Sequence, residues 1–175
     1  IRPNTSHEIL DGLKLAFDEN GTVTAGTASP LTDGASAVIV CEEEYAKKNN
    51  LNILARIKST AVVGCPPELM GLGPINASKK ALKRANLSIS DIDIVELNEA
   101  FASQSLACIK ELNMDISKVN IHGGAIALGH PLGATGARIT GKVATLLQNN
   151  NKKYGLATQC IGLGQGIATV LENIN

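Results

Sequence analysis

The sequence predicts an α/β protein in which a mixed sheet is covered by helices on both faces. Short apolar runs typical of buried strands alternate along the chain with segments whose apolar residues recur at helical spacing. Alanine, glycine, isoleucine, leucine and valine are plentiful, whereas aromatic residues make up only 2% of the chain. This composition suits helices that pack closely on a sheet. The length of 175 residues is sufficient for one domain with a sizeable core.

The predicted elements follow a turn-rich, polar segment that covers residues 1–34. Apolar runs and alternation predict strands at 35–41, 53–63, 92–97, 154–159 and 166–171. Helical periodicity predicts helices at 42–50, 76–85, 98–112 and 132–148. The helix at 76–85 has a basic outer face, which is either solvated or holds a phosphate-bearing ligand; its members are Lys79, Lys80, Lys83 and Arg84.

Charge and cysteine usage exclude several classes of function. The sixteen basic residues balance the sixteen acidic ones, so we expect no attraction to nucleic acid or to a membrane surface. No apolar run approaches the length of a membrane span. The four cysteines form no CxxC pair and have no zinc spacing, so we expect free thiols and no metal site. The chain begins at Ile1 within a turn-rich segment, and we expect it to be part of a longer polypeptide.

Two glycine-rich turns concentrate the candidate chemistry. His130 lies in a Gly-His-Pro tripeptide directly before a predicted helix, where backbone N–H groups can stabilise an oxygen that becomes negative. Cys160 lies between two predicted strands, beside Gly162 and Gly164. Such residues can form an acid/base or nucleophile/base pair. A purely structural role for each remains open from the pattern alone.

Asn98 occupies a similar position in the pattern. It follows a predicted strand and precedes a predicted helix, and α/β proteins place ligands at the carboxyl ends of strands. Asparagine is also among the best helix N-caps, so capping is an equal alternative.

Four motifs in order resemble the C-terminal half of the thiolases. They are Met-Gly-Leu-Gly-Pro at 70–74, Asn-Glu-Ala-Phe at 98–101, GGAIALGHPLGATGAR at 123–138 and CIGLGQG at 160–166. The resemblance extends over nearly the whole chain and favours the degradative 3-ketoacyl-CoA thiolases of bacteria. It implies the C-terminal half of a duplicated, layered α/β/α/β/α architecture. Residues 1–46 would form the end of the CoA-binding loop region with the last strand of the N-terminal half, and residues 47–175 the C-terminal domain.

The resemblance also implies a reaction and the residues that perform it. Thiolases cleave a 3-ketoacyl-CoA with a second CoA, or condense two acyl-CoA molecules in reverse. His130 matches the base that activates the nucleophilic cysteine, and Cys160 matches the acid/base cysteine. Asn98 matches the residue that holds a water in an oxyanion hole shared with that histidine, and the Gly162 amide matches a donor of the other oxyanion hole. From the setting beside bare amides, we expect a lowered pKa for the Cys160 thiol.

The remaining implied residues concern binding and the nucleophile. Ser29 matches a serine that contacts CoA, and Met70 matches a residue that lines the acyl pocket, with core packing as its alternative. The nucleophile belongs to the N-terminal half of the family fold. We expect Cys41 in a strand, Cys65 before two prolines and Cys108 inside a helix to be packing residues.

Cofactor, partners and location follow from the same resemblance. It implies CoA as co-substrate without a covalently bound cofactor, a homodimer or homotetramer, and a role in β-oxidation of fatty acids. The location would be the bacterial cytoplasm, or mitochondria or peroxisomes in a eukaryote. Alternatives are a biosynthetic acetoacetyl-CoA thiolase, a β-ketoacyl synthase and a non-catalytic lipid- or CoA-binding module.

Three departures from the family pattern qualify the resemblance. Pro30 follows Ser29 where glycine is frequent, and His122 stands where asparagine is common, which suggests a structural role. Leu163 replaces the middle glycine common in biosynthetic acetoacetyl-CoA thiolases, and this favours the degradative kind.

Overall fold

A four-stranded mixed sheet forms the centre of the computed structural model, which describes residues 2–174. The strands are β1 (Arg56–Gly64), β2 (Ile94–Leu97), β3 (Tyr154–Ile161) and β4 (Gln165–Glu172). Their order in the sheet is β1-β4-β3-β2. β2 and β3 are parallel, whereas β4 is antiparallel to both of its neighbours. The predicted mixed sheet is therefore confirmed, and the last two strands form a hairpin as their sequences indicate.

Helices cover both faces of this sheet. The α-helices of residues 2–174 are α1 (His7–Asp11), α2 (Glu43–Lys48), α3 (Gly73–Ala85), α4 (Ala102–Glu111), α5 (Ala125–Leu128) and α6 (Leu132–Asn149). Of these, α3 and α4 cover one face of the sheet and α6 covers the other. Side chains alternate between the faces along each strand. Leu156 and Val170 join one apolar cluster with residues of α3 and α4, whereas Ala157 and Leu171 join a second cluster with residues of α6. The prediction of helices on both faces is confirmed.

The beginning of α3 packs on the backbone of β4. A Cβ atom added to Gly73 would meet backbone atoms of Gln165 and Gly166, and one added to Gly166 would meet the backbone of Gly73. Glycine is therefore required on both sides of this contact. The contact holds the first turn of α3 against the start of β4, where the chain emerges from the turn that follows Cys160.

The basic outer face of α3 contacts the free edge of the sheet. Lys80 Nζ lies 3.4 Å from the carbonyl oxygen of Val62, and Arg84 Nη1 donates to the carbonyl oxygen of Thr60. Lys79 pairs with Glu111 of α4 at 3.3 Å. Lys80 and Arg84 thus donate to carbonyl groups of the edge strand β1, which protects this edge from pairing with another strand.

The predicted buried strand at 35–41 is wrong for this chain. The segment belongs to no helix and to no strand of the described sheet, and all its residues are exposed, including Ile39 at 92%. Cys41 is consequently exposed rather than a packing residue. The physical reason is that a strand needs a hydrogen-bonding neighbour, and β1 and β2 at the edges of the sheet do not offer one to this segment. It is attached instead to α6, where Ser36 Oγ donates to the carbonyl oxygen of Ala134.

The predicted helix at 98–112 begins later than expected, at Ala102. The chain before it is extended because it pairs with the segment around Ala28: Ser29 N donates to Ala100 O at 3.0 Å, and Ala102 N donates to Thr27 O at 2.8 Å. The other predicted helices and strands exist, with ends that differ by a few residues. Within residues 2–174, no helix has the length and apolar character needed to cross a membrane.

We predict that Gly166→Ala destabilises the protein by about 1–3 kcal/mol, because the new methyl group must displace the backbone of α3. Urea unfolding of the purified protein measures this loss. Gly12→Ala is the control, since a Cβ atom there makes ordinary contacts of 3.5 Å and more. A loss no larger than that of the control would contradict direct packing of α3 on β4.

Candidate active site

Asn98, His130 and Cys160 lie at the edge of the sheet where the carboxyl ends of β2 and β3 meet. Asn98 directly follows β2, and its N–H donates to Thr158 O of β3 at 3.0 Å. Cys160 lies two residues further along β3. α6 packs beside β3 so that Gly136, near its beginning, faces the side-chain nitrogen Nε2 of Gln159, whereas Leu147, near its end, approaches Gly155. His130 precedes the beginning of α6 and is therefore at the edge that carries the other two residues.

His130 is held by a bond from its ring to Thr135. His130 Nδ1 lies 2.7 Å from Thr135 Oγ1, and Thr135 Oγ1 lies 3.2 Å from the carbonyl oxygen of Pro131. When the hydroxyl proton of Thr135 is donated to that carbonyl, the hydroxyl oxygen accepts a proton from Nδ1–H. The network thus assigns the hydrogen to Nδ1 and leaves Nε2 with a free electron pair. Gly129 has φ +100° and no room for a Cβ atom beside Thr32, which explains the glycine before His130.

The surroundings of His130 favour the neutral form of its ring. Burial lowers the pKa of the imidazole, and the positive charge of Arg138 lowers it further. A ring that is neutral near pH 7 has the form that a general base needs.

The Cys160 thiol differs from the sequence expectation. Its side chain is 8% exposed, and burial raises the pKa of the thiol, while a hydrogen bond from backbone opposes this effect and the nearby Cys65 adds to it. The expectation of a lowered pKa was wrong because burial outweighs the adjacent amide. Cys160 is therefore protonated near pH 7 and suited to donate a proton. Among the described residues, no hydrogen bond joins this thiol to the ring of His130.

The turn after Cys160 contains two residues in the left-handed region of backbone conformation. Leu163 has φ +69° and Gly164 has φ +92°. Gly164 cannot carry a side chain because a Cβ atom would meet Cys65 O, and Cys65 N donates to Gly164 O at 2.8 Å. Gly162 is exposed with open space around its Cα, so that a ligand can approach its backbone.

Asn98 is buried and does not cap a helix. Its side chain is 1% exposed, and neither Nδ2 nor Oδ1 has a hydrogen-bond partner among the described residues. The N-cap of α4 is Phe101, so the capping alternative is wrong. A buried amide without a partner costs free energy, which is typical of a group kept for binding.

The two candidate binding residues, Ser29 and Met70, are half-buried and lie on separate segments of the chain. Ser29 is half-buried, and its backbone pairs with Ala100, close to Asn98. Met70 is half-buried in the 3₁₀ helix Pro67–Leu72, which follows Cys65. Cys108 is buried in α4 and donates to Gly71 O at 3.5 Å, so it is a packing residue as expected. His122 is exposed, with Nδ1 3.0 Å from Lys142 Nζ.

Sequence reasoning missed several polar residues that support this edge. Thr135 orients His130, and the only signal was a hydroxyl residue one turn into the helix after Gly-His-Pro. Glu96 is a carboxyl residue within the apolar strand β2; it is 1% exposed, and its Oε1 has no partner among the described residues. Arg138 Nε and Gln159 Oε1 are likewise buried atoms without a hydrogen-bond partner among the described residues. Within residues 2–174, no group of His, Cys, Asp and Glu side chains could hold a metal ion.

Glu96 carries the largest perturbation of a carboxyl group in the site region. Burial raises its pKa to about 7, against the charges of Lys142 and Arg138, which lower it, and with that of Glu99, which raises it. In the unfolded chain the ordinary value of 4.5 applies. The folded protein therefore binds this proton more tightly than the unfolded chain.

We predict that wild-type protein loses stability relative to Glu96→Gln as the pH rises from 4.5 to 8. Below pH 4.5 Glu96 is protonated in both states, and above pH 7 the folded protein holds a buried carboxylate. The difference in the free energy of unfolding should change by on the order of 3 kcal/mol over this window, and denaturant unfolding at several pH values measures it. Glu111→Gln on the surface is the control. Parallel pH profiles of wild type and Glu96→Gln would contradict the raised pKa.

Comparison with known proteins agrees with this architecture. The family model of the thiolase C-terminal domain matches residues 51–173, and the family model of the thiolase N-terminal domain matches residues 1–44. The chain is 58% identical over 178 aligned residues to a 3-ketoacyl-CoA thiolase of Shewanella frigidimarina, and 59% identical over 177 to one of Vibrio parahaemolyticus. These alignments cover 99% and 98% of this chain but 46% and 45% of the relatives. The chain thus spans about half the length of the curated relatives it matches.

Solved structures agree in fold as well as in sequence. The crystal structure of human mitochondrial 3-ketoacyl-CoA thiolase matches with a TM-score of 0.96 and 50% identity, covering 99% of this chain and 44% of that one. The same human protein has a structure in complex with CoA, which matches with a TM-score of 0.95 over 98% of this chain and 44% of that one. A Bacillus anthracis acetyl-CoA acetyltransferase matches with a TM-score of 0.94 and 45% identity, covering 98% and 43%. The fold, the order of the motifs and these matches together show that the chain belongs to the thiolase family.

Proposed function

We propose that this chain is the C-terminal part of a degradative 3-ketoacyl-CoA thiolase, which uses CoA to cleave a 3-ketoacyl-CoA into acetyl-CoA and a shortened acyl-CoA. The observation that carries the proposal is the pair of oppositely tuned groups at one sheet edge. His130 is a base with a lowered pKa, and Cys160 is an acid with a raised pKa. The relatives named 3-ketoacyl-CoA thiolase support the degradative reaction.

In the proposed reaction, His130 takes the thiol proton of a nucleophilic cysteine in the N-terminal half. That sulfur attacks the 3-keto carbon and the bond between carbons 2 and 3 breaks, leaving its electron pair on carbon 2. Cys160 donates its proton to carbon 2, which completes acetyl-CoA. The Cys160 thiolate then takes the proton of the incoming CoA thiol, whose sulfur displaces the acyl group from the enzyme. The second step restores the protonated Cys160, and the departing cysteine sulfur takes its proton back from His130.

Negative charge develops on the thioester oxygen when the carbon–carbon bond breaks, and positioned donors stabilise it. Asn98 supports one such site because its buried amide is without a partner among the described residues, and it stands at the same edge as His130. The exposed backbone of Gly162 supports the other. Loss of one such donor costs roughly 3–4 kcal/mol of barrier in comparable sites.

The proposed enzyme requires an N-terminal half that supplies the nucleophile. We place the division at residues 46 and 47, so that residues 1–46 complete the N-terminal half and its CoA-binding loops. The matches to residues 1–44 and 51–173 support this division. The exposed apolar segment 35–41 supports it too, because as a strand it would need a sheet other than the described one. In this arrangement Ser29 contacts CoA and Met70 lines the acyl pocket.

The biological setting is proposed on the same basis. A bacterial cytoplasmic enzyme of β-oxidation is supported by the bacterial relatives and by the four free cysteines. A homodimer or homotetramer is proposed from the family resemblance alone. CoA is the co-substrate, as supported by the human mitochondrial thiolase that was solved with CoA.

We predict that Cys160→Ala in the protein that contains both halves leaves acyl transfer to the nucleophile intact but blocks proton transfer at carbon 2. Rapid-quench experiments with labelled acyl-CoA should show a surviving burst, while turnover falls by about 10²–10⁴-fold. His130→Asn is the matched comparison and should abolish the burst because it removes the base. Equal loss of burst and turnover in Cys160→Ala would show that Cys160 is structural.

We further predict that the purified 175-residue chain by itself has no measurable thiolase activity. His130 and Cys160 without a nucleophile cannot form an acyl-enzyme, and catalytic groups that act together lose nearly all activity when one is absent. An assay of CoA-dependent cleavage of acetoacetyl-CoA and of a longer 3-ketoacyl-CoA measures this. Turnover by this chain that disappears in Cys160→Ala would identify Cys41, Cys65 or Cys108 as the nucleophile and contradict the proposed division of labour.

A further inference from the structure

The carboxylate of Glu99 joins two separate parts of the crossover between β2 and β3. Glu99 Oε1 accepts a hydrogen bond from Asn120 Nδ2 at 2.9 Å, and Glu99 Oε2 accepts one from the backbone N–H of Ile126 at 3.1 Å. Both oxygens are therefore used, each by a donor on the loop that leads to His130. Glu99 directly follows Asn98 in the chain, so the hydrogen bonds that hold Glu99 also restrain the backbone beside Asn98.

Asn120 ties the same loop to the end of β2. Its Oδ1 accepts from Leu97 N at 2.9 Å, and its Nδ2 donates to Leu97 O at 2.8 Å, in the manner of a neighbouring strand. Asn120 has φ +48°, a conformation that asparagine tolerates better than most residues. The side chain of Asn120 thus connects Leu97 and Glu99, which flank Asn98 on both sides.

Gly124 makes close approach of the loop to Glu99 possible. A Cβ atom at this position would meet the carboxyl group of Glu99. The loop then enters α5 at Ala125, and Gly129 leads on to His130. Each step between Glu99 and His130 is therefore fixed by a hydrogen bond or by a contact without spare room.

We propose that Glu99 is a positioning residue that sets the separation between Asn98 and His130 by fixing the loop 120–129 to the end of β2. This inference rests on the proposed function, since the separation matters for an oxyanion site that the two residues share. A carboxylate is required because both donors, an amide N–H₂ and a backbone N–H, need an acceptor. Glutamine offers one acceptor and turns its own N–H₂ toward the second donor.

The test uses the protein that contains both thiolase halves, with Glu99→Gln as the variant and Glu111→Gln as the matched control. Glu111 is an exposed acid on the neighbouring helix α4 that pairs with Lys79. We expect kcat for 3-ketoacyl-CoA cleavage to fall by about 10²-fold in Glu99→Gln, the effect of misplacing reacting groups by about 1 Å. The KM for CoA and the control variant should stay near wild type.

A double-mutant cycle with Asn98→Ala separates positioning from general damage. When Asn98 is absent, its separation from His130 no longer matters, and Glu99→Gln should then cost less than about 10-fold in kcat. Equal losses in the wild-type and Asn98→Ala backgrounds would overturn the proposal, because a merely structural role reduces both by the same factor.

Hydrogen exchange provides a readout that does not depend on activity. In Glu99→Gln, the amides of residues 121–129 should exchange faster, Ile126 most of all, while those of β3 and β4 stay as in wild type. Asn120→Asp is a second variant if Glu99→Gln folds poorly, since it places a carboxylate against Glu99 and should loosen the same loop. Unchanged exchange of this loop in both variants would overturn the proposal even if the enzyme proves to act on another substrate. Absence of wild-type cleavage with altered exchange would overturn the proposed function and leave the positioning role supported.

Discussion

The parallel pairing of β2 with β3 is the constraint on which the rest of the molecule depends. Neighbouring parallel strands cannot be joined by a tight turn, so the chain must cross over the sheet between them. The crossover occupies residues 98–153 and contains α4, α5 and α6. It begins with Asn98, carries His130 in its middle and returns to the strand that ends near Cys160. Because both strands end at the same edge, a crossover that packs as α6 does brings these three residues to that edge.

The face of the sheet that packs against α6 contains buried polar atoms without hydrogen-bond partners among the described residues, and these reduce the free energy of unfolding. The buried side-chain atoms that lack a partner among residues 2–174 all belong to β2, β3, α6 or Asn98: Glu96 Oε1, both amide atoms of Asn98, Arg138 Nε and Gln159 Oε1. An apolar residue at each of these positions would be cheaper for folding alone. Arg138 also links the two sides of the region electrostatically, since its charge lowers the pKa of Glu96 and that of His130. Such concentrated cost beside candidate catalytic groups is typical of a functional site.

The sequence predicts regular elements better than their surroundings. Periodicity identified α3, α6 and the β3–β4 hairpin because each buries a continuous apolar stripe or an alternating face. It failed at 35–41, since an apolar run shows that a segment needs a partner strand but not whether this chain contains one. It also failed at Asn98, where pairing of Ala100 and Ala102 with residues 27–29 delays the helix. Glycine patterns located His130 and Cys160, whereas Glu99 and Thr135 act through contacts between distant or successive turns that have no periodic signature.

Burial at the end of β3 and before α6 links the packing of the site to the proposed chemistry. The proposed cleavage starts with attack by a deprotonated sulfur and then leaves an electron pair on carbon 2, so the resting site must hold a base near the nucleophile and an acid near carbon 2. Burial supplies both by the same physical effect, because it disfavours the charged form of each group: thiolate at Cys160 and imidazolium at His130. Thr135 then selects the ring nitrogen that stays free, and the backbone around Gly162 remains open to a ligand. In the condensation direction protonated Cys160 first donates to the departing CoA sulfur, and its thiolate then takes a proton from carbon 2, so the same resting protonation states apply. Burial therefore prepares the protonation states that the proposed reaction needs in either direction.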